Sequence, residues 1–237
     1  MPKHIVCLTF DFDGISGFIA RGAVTPTPVS RGEFGPRVGA PRLLALLRKY
    51  RIKSSWYVPG HTIETFPDAV RSVVEHGHEI GHHGWRHISP VALSRAEEEA
   101  ELVRGNEAIM RISGEYARGY RSPGWELTPA TLELLPELGF AWDSSLMADE
   151  RPYRLGELVE LPVHWRLDDV PYWLAYRDPR EVLAIWTAEY DAADGGHITF
   201  TIHPEHTGRG HRLTLLDGLL DHIGPTVKHS DACAALI

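Results

Sequence analysis

In the segment LTFDFDG, Asp11 and Asp13 stand two residues apart at the end of an apolar run. A strand repeats every two residues, so both carboxylates face the same side. Like charges held together call for a cation or a shared proton, unless the two are simply solvated at a strand rim. The segment GHEIGHHGWRHISP adds two histidine pairs at i and i+4, His78/His82 and His83/His87. Fourteen histidines in this chain would give about 0.8 such pairs by chance, so spacing by itself decides little. Geometry separates the two. If HEIGH is a strand, His78 and His82 lie about 13 Å apart, too far to share an ion. His83 and His87 follow Gly81, where a helical turn can begin and bring the Cβ atoms to about 6 Å. That pair can chelate, or can be two surface histidines flanking Trp85.

Asp13 with His83 and His87 makes three protein ligands and leaves a position for water, the pattern of a catalytic rather than a structural zinc site. Zinc is the first expectation, and the same ligands accept cobalt, nickel or iron. Asp11 is then placed to act as the base that takes a proton from attacking water. In RGYRSPGWELTP, Arg121 ends a strand before a Pro-Gly turn, free to pair with a carboxylate; Asp11 is the candidate, and a plain salt bridge across the fold is the alternative. In ITFTIHPEHTGRGHR, His203 ends another strand and could protonate a leaving amine, or be an ordinary core histidine. Asp143, in FAWDSSL, could orient that imidazole and raise its pKa.

These residues need elements to carry them. Apolar runs near 4–10, 53–58, 78–82, 117–121, 140–145, 158–164 and 197–203 read as strands. Helical spacing covers 41–50, 67–76, 91–112, 129–138, 179–190 and 213–223. Strand alternating with helix predicts an α/β fold, a distorted or incomplete (β/α) barrel of about seven parallel strands, as a single domain over residues 1–237. All the candidate groups then fall at or just past carboxyl ends of strands, the face where barrel enzymes gather catalytic groups. Residues 15–40, Gly/Pro-rich and unusually long for a strand–helix connection, read as a wall or lid of the site, or as a surface excursion.

Composition removes several functions. A net charge of -8 repels phosphate backbones and anionic membrane surfaces, so neither nucleic acid nor membrane is an expected partner. Cys7 and Cys233 form neither a zinc-finger pattern nor a disulfide framework. The N-terminal MPKHIVCLTFDFDG lacks a long apolar region, and no stretch approaches the ~18 apolar residues of a spanning helix, from which a cytoplasmic location is expected.

The segments TFDFDG, HGWRH, RSPGW, WDSS and FTIH together resemble the five motifs of the polysaccharide deacetylase family, which shares a homology domain with nodulation chitooligosaccharide deacetylases. The resemblance covers nearly the whole chain. It implies Asp11 as base, Asp13, His83 and His87 as metal ligands, Arg121 as the group holding the base, His203 as acid and Asp143 as its tuner. Phe12 between the aspartates, Gly84, Gly124, Trp125, Phe200 and the HPEHTGRGHR ending resemble a branch with atypical peptidoglycan deacetylase-like proteins and relatives acting on cyclic imides or ureides, which often self-associate into homo-oligomers. The implied activity is divalent-metal-dependent hydrolysis of a non-peptide carbon–nitrogen bond. An N-acetylated saccharide is the first expected substrate and a small cyclic imide or ureide the second. A non-catalytic carbohydrate-binding domain is the reading from another class. Trp85 and Trp125 are expected to contact substrate, with Trp142 helping to enclose it.

Overall fold

The computed structural model describes residues 4–193, 196–224 and 227–235. Its strands are β1 Ile5–Asp11, β2 Ser55–Val58, β3 Glu79–His82, β4 Gly119–Tyr120, β5 Trp142–Asp143, β6 Tyr153–Leu155, β7 Leu158–Glu160, β8 His197–Ile202 and β9 Val227–Lys228. They form one sheet in the order β6-β7-β5-β4-β3-β2-β1-β8, and β9 pairs with the first half of β1. Pairing is parallel throughout except for the β6–β7 hairpin. The sheet curls into a distorted (β/α) half-barrel, as the alternation of elements predicts.

All seven expected strands are present, most of them trimmed at their ends, and β6 and β9 are additions. The six expected helices form as Ala40–Tyr50, Pro67–Glu75, Arg95–Ser113, Pro129–Glu137, Pro179–Ala192 and Leu213–Ile223. Local chemistry sets their ends. Ser94 and Glu97 form a reciprocal capping box before Arg95–Ser113, and Gly114 (φ 85°) closes that helix in the left-handed region. Pro67, Pro129 and Pro179 each open a helix, where a missing N–H is harmless. Among the described residues no helix is long and apolar enough to cross a membrane.

In a parallel sheet, residues in register share a face, so the pairing sorts the whole chain into two layers. Phe10, Trp56 and Ile80 are partners, and so are Val58, His82, Tyr120, Asp143 and Glu160. These point outward to the helices, where Leu8, Phe10, Phe12, Trp56, Leu43, Leu47 and Val73 are buried in the main core. Asp11, Tyr57 and Gly81 are partners on the inner face. A smaller apolar cluster of Cys7, Trp142, Val159, Leu161 and Cys233 packs separately from that core.

Residues 15–40 are not an irregular loop. They hold helices Ser16–Ile19 and Pro26–Phe34, and the second runs through a wide turn, Gly35–Gly39, directly into Ala40–Tyr50. The glycines that suggested a loop are points of close backbone approach. A Cβ on Gly32 would lie 2.4 Å from the Gly14 carbonyl oxygen, and one on Gly39 2.1 Å from that of Pro204. This helical wall is thereby pressed against the loops that follow Asp13 and His203.

Candidate active site

The inner face of β1 delivers Asp11 and then Asp13 at its carboxyl end, while the intervening Phe12 is fully buried on the outer side against Trp56, ring centroids 5.5 Å apart. Register extends the same logic to other strands. His83 follows outward-facing His82 and so turns inward, whereas His82 Nε2 lies 3.0 Å from the Leu102 carbonyl on the helix side. Arg121 follows outward-facing Tyr120, and His203 follows Ile202, the partner of outward-facing Phe10.

The ligand atoms of Asp13, His83 and His87 lie within 4.8 Å of one another. His87 Nε2 is 3.2 Å from Asp13 Oδ2, and His83 Nε2 is 3.5 Å from Asp13 Oδ1. His83 Nδ1 donates to the Arg121 carbonyl at 2.6 Å, which fixes the ring and leaves Nε2 to act as a ligand. Burial holds His83 below the usual histidine range, favouring the neutral, ligating form. Burial also works against the Asp13 charge, but His87 and then His83 beside it hold the carboxyl well below the usual range. Asp13 Oδ1 is buried with no hydrogen-bond partner. A deprotonated carboxylate with an orphaned oxygen and an imidazole with its outer nitrogen already engaged are a fitting donor set for a divalent cation.

The expected helical turn from His83 to His87 does not form. Gly84 (φ 69°) and His87 (φ 60°) are both left-handed, and the loop is pinned from behind by Glu101. Glu101 Oε2 accepts from the Trp85 and Arg86 N–H groups at 3.1 and 2.7 Å. Trp85 is carried away from the site by this turn. Its indole lies under the Arg104 guanidinium, 3.3 Å from the ring centroid, and edge-on to His61, so it does not line the cavity. Trp142 likewise does not line the cavity and belongs to the smaller apolar cluster.

Arg121 is fully buried. Its Nη1 donates to Asp11 Oδ1 at 2.7 Å and to Thr9 Oγ1 at 2.8 Å, Nη2 to Ser144 Oγ at 2.8 Å, and Nε to the Ser144 carbonyl at 3.0 Å. One oxygen of Asp11 is thus engaged, while Oδ2 lies 3.8 Å from His83 Nε2.

Asp143 does not reach His203. As a register partner of Tyr120 and Glu160 it faces the helices, where its Oδ1 accepts from Ser145 Oγ at 2.9 Å. The partner of His203 is Asp169, which sequence reasoning missed. His203 Nδ1 donates to Asp169 Oδ1 at 2.8 Å, and Asp169 Oδ2 accepts from the His203 N–H at 3.1 Å and from the Thr207 hydroxyl. Asp168 Oδ1 stands 3.7 Å from the same ring nitrogen. Burial alone would lower the His203 pKa, but the hydrogen bond and charge of Asp169 lift it well above the usual value. Burial raises the Asp168 carboxyl to about 7, with His203 pulling it down and Asp169 pushing it up. A bridge between Asp168 and Thr201 of β8 brings the Asp-Asp pair here, a long-range contact whose only sequence trace is the dipeptide before Val170-Pro171.

These groups surround one cavity of about 170 Å³, lined by Asp11, Asp13, His83, His87, Asp168 and His203, by Trp125 and Trp165, and by Phe18 and Arg21 of the 15–40 segment. Trp125 (φ 59°) and Trp165 lie with ring centroids 4.4 Å apart and form an aromatic wall. Glu205 and His206 also line it, Glu205 with Oε2 buried and unpartnered.

The sequence pattern of the polysaccharide deacetylases matches residues 1–142. The peptidoglycan deacetylase of Helicobacter pylori is 32% identical, over 94% of this chain and 91% of its own. A solved Mycobacterium smegmatis chain assigned to the polysaccharide deacetylases is 34% identical and superposes with a TM-score of 0.93, covering 100% of this chain and 90% of its own. An allantoinase shares the fold, with a TM-score of 0.89 at 19% identity, over 99% of this chain and 90% of its own. The protein belongs to the polysaccharide deacetylase family, hydrolases of amide bonds.

Proposed function

We propose that the chain, acting as a single catalytic domain over residues 1–237, is a divalent-metal-dependent hydrolase that removes the acetyl group from an N-acetylated saccharide. The observation that carries this reading is the meeting of three arrangements at one cavity: Asp13, His83 and His87; Asp11 with Arg121; and His203 with Asp169. Family membership and the peptidoglycan deacetylase relative support it.

Asp13, His83 and His87 would hold the ion, with zinc first among those the donor set accepts. A bound cation polarises the amide carbonyl and makes water acidic enough to attack near neutral pH. Arg121 anchors Asp11 by one carboxylate oxygen, which leaves Asp11 Oδ2 to accept the proton of the attacking water. His203, held protonated by Asp169, donates through Nε2 to the departing nitrogen, since Nδ1 is already engaged. Trp125 and Trp165 supply an apolar face for a sugar ring and shield the site from water.

A second reading, opening of a small cyclic imide or ureide, is favoured by the size of the cavity, which is below the ~300–1,000 Å³ of ordinary ligand pockets. Acetate release from chitooligosaccharides, measured beside ring opening of succinimide and hydantoin, separates the two. Asp13→Ala should lose metal by elemental analysis, whereas Asp11→Asn should keep it and lose roughly 10²–10⁴-fold in turnover. An Asp11→Asn protein with full activity would refute the base.

A further inference from the structure

Beside the proposed catalytic cavity lies a second opening of about 350 Å³, and the two share Phe18, Glu205 and His206 as a common wall. Three guanidiniums line it: Arg31 from the Pro26–Phe34 helix, and Arg209 and Arg212 from the segment after His203. Many other arginines of this acidic chain sit against carboxylates, as Arg95, Arg166, Arg177 and Arg180 do. Among the described residues, Arg31, Arg209 and Arg212 form no ion pair. They rest on aromatic faces instead, Arg209 4.0 Å over Phe34, Arg212 4.5 Å over Trp173 and Arg31 5.9 Å from Phe18. Their remaining bonds within the protein are single ones: Arg209 Nε to the Glu205 carbonyl and Arg212 Nη1 to the His206 carbonyl, both at 3.2 Å.

Beyond those single bonds the guanidiniums keep N–H donors to offer, and a guanidinium edge matches the two oxygens of a carboxylate. Arg212 Nε is buried with no acceptor. Burial lowers the pKa of Arg209 and Arg212; Arg31 pushes Arg209 further down against a smaller lift from Glu205, and Arg209 pushes Arg212 down against a larger lift from Asp169. Three like charges gathered in a cavity, in a chain with a net charge of -8, are relieved by an anion. Glu205 borders both openings but pairs with none of the three, its Oε2 being without a partner. We propose that this opening is an anion subsite that binds a carboxylate carried by the amide substrate, beside the bond that is cut. The proposal rests on reading the neighbouring cavity as the hydrolytic site.

The test compares the metal-loaded protein's binding and turnover of two matched pairs: N-acetylmuramic acid against N-acetylglucosamine, and hydantoin-5-acetic acid against hydantoin. In at least one pair the acid should be preferred roughly tenfold or more, the worth of one charged hydrogen bond. Arg31→Ala, at an exposed position, and Arg209→Gln should each bring that ratio toward one. Equal ratios in wild type and both variants would overturn the subsite. So would inorganic phosphate that binds these arginines without competing with either acid, which would make this a separate anion site. A binding preference without turnover of any probe keeps the subsite and sinks the hydrolytic reading; turnover indifferent to the carboxylate does the reverse.

Discussion

Replacing Asp169 by Asn, with Asp143→Asn beside it, isolates the group that keeps His203 protonated. Asp169 is fully buried, and its Oδ1 lies 2.8 Å from His203 Nδ1. Opposite charges centred about 4 Å apart interact by about 4 kcal/mol at an effective dielectric of about 20, equivalent to about three pH units. Asp168, 3.7 Å away, retains part of that field, so the expected fall in the His203 pKa is roughly one to three pH units. The sign follows from the role. A proton donor works while protonated, so loss of its proton sets the alkaline limb of kcat/KM. In wild type that limb lies well above the usual histidine range, because the pKa is raised. In Asp169→Asn it should move down by roughly one to three units, and at a pH above the new limb each unit costs about tenfold. Stability shifts in the same sense: the pair's contribution is complete below the unfolded histidine value and is lost as pH rises through the folded one. Asn also turns its NH₂ toward the His203 N–H or the Thr207 hydroxyl, adding roughly 1–3 kcal/mol of destabilisation where two donors meet. Asp143→Asn, on the outer face, should leave the limb where it is. Profiles of kcat/KM from about pH 5 to 10, with melting curves in parallel, would refute this reasoning if Asp143→Asn moved the limb and Asp169→Asn did not.

Three further outcomes are expected. Glu160 is buried beside Asp143, and burial, then the Asp143 charge, raises its carboxyl well above the usual value; burial raises Asp143 as well. The stability that such protonated carboxyls contribute is complete at low pH and falls as pH rises from the unfolded value of 4.5 through the folded one. Glu160→Gln should therefore flatten the decline in Tm from about pH 5 to 8 and raise Tm at pH 8 by roughly 2–4 °C per kcal/mol recovered. Trp125→Ala should raise KM by roughly tenfold by removing half of the aromatic wall, whereas Trp85→Ala should leave KM within about twofold. Gly32→Ala puts a Cβ 2.4 Å from the Gly14 carbonyl oxygen, so Tm should fall by an amount corresponding to roughly 1–3 kcal/mol, and turnover with it because Asp13 adjoins Gly14.

Whatever depended on local period could be read from the sequence. The alternation of β1 assigns Asp11 and Asp13 to one face without any knowledge of the rest of the fold, and the strand reading of HEIGH separates His78 from His82. What depended on left-handed backbone or on long-range pairing could not. His83 and His87 meet through two left-handed residues braced by Glu101, so the histidines were identifiable while their conformation was not. Gly32, Gly35 and Gly39 carry the signature of a loop, yet their missing side chains serve helix-to-loop packing that exists only in the folded chain. Asp169 reaches His203 from 34 positions away through a single bridge to β8, and no period announces such a contact.

The error at Asp143 has a different origin, because the sheet itself contains the information that corrects it. Arg121 points inward, so Tyr120 points outward, and a parallel partner of Tyr120 must do the same. Once β4 and β5 are aligned, Asp143 is excluded from the interior and Ser144 admitted, and Ser144 is the residue that takes two donors of Arg121. Being at the carboxyl end of a strand is therefore necessary for entry to this site but not sufficient. Parity along the strand decides, and a shift of one residue separates a group that steadies the Asp11–Arg121 pair from a carboxyl buried against Glu160.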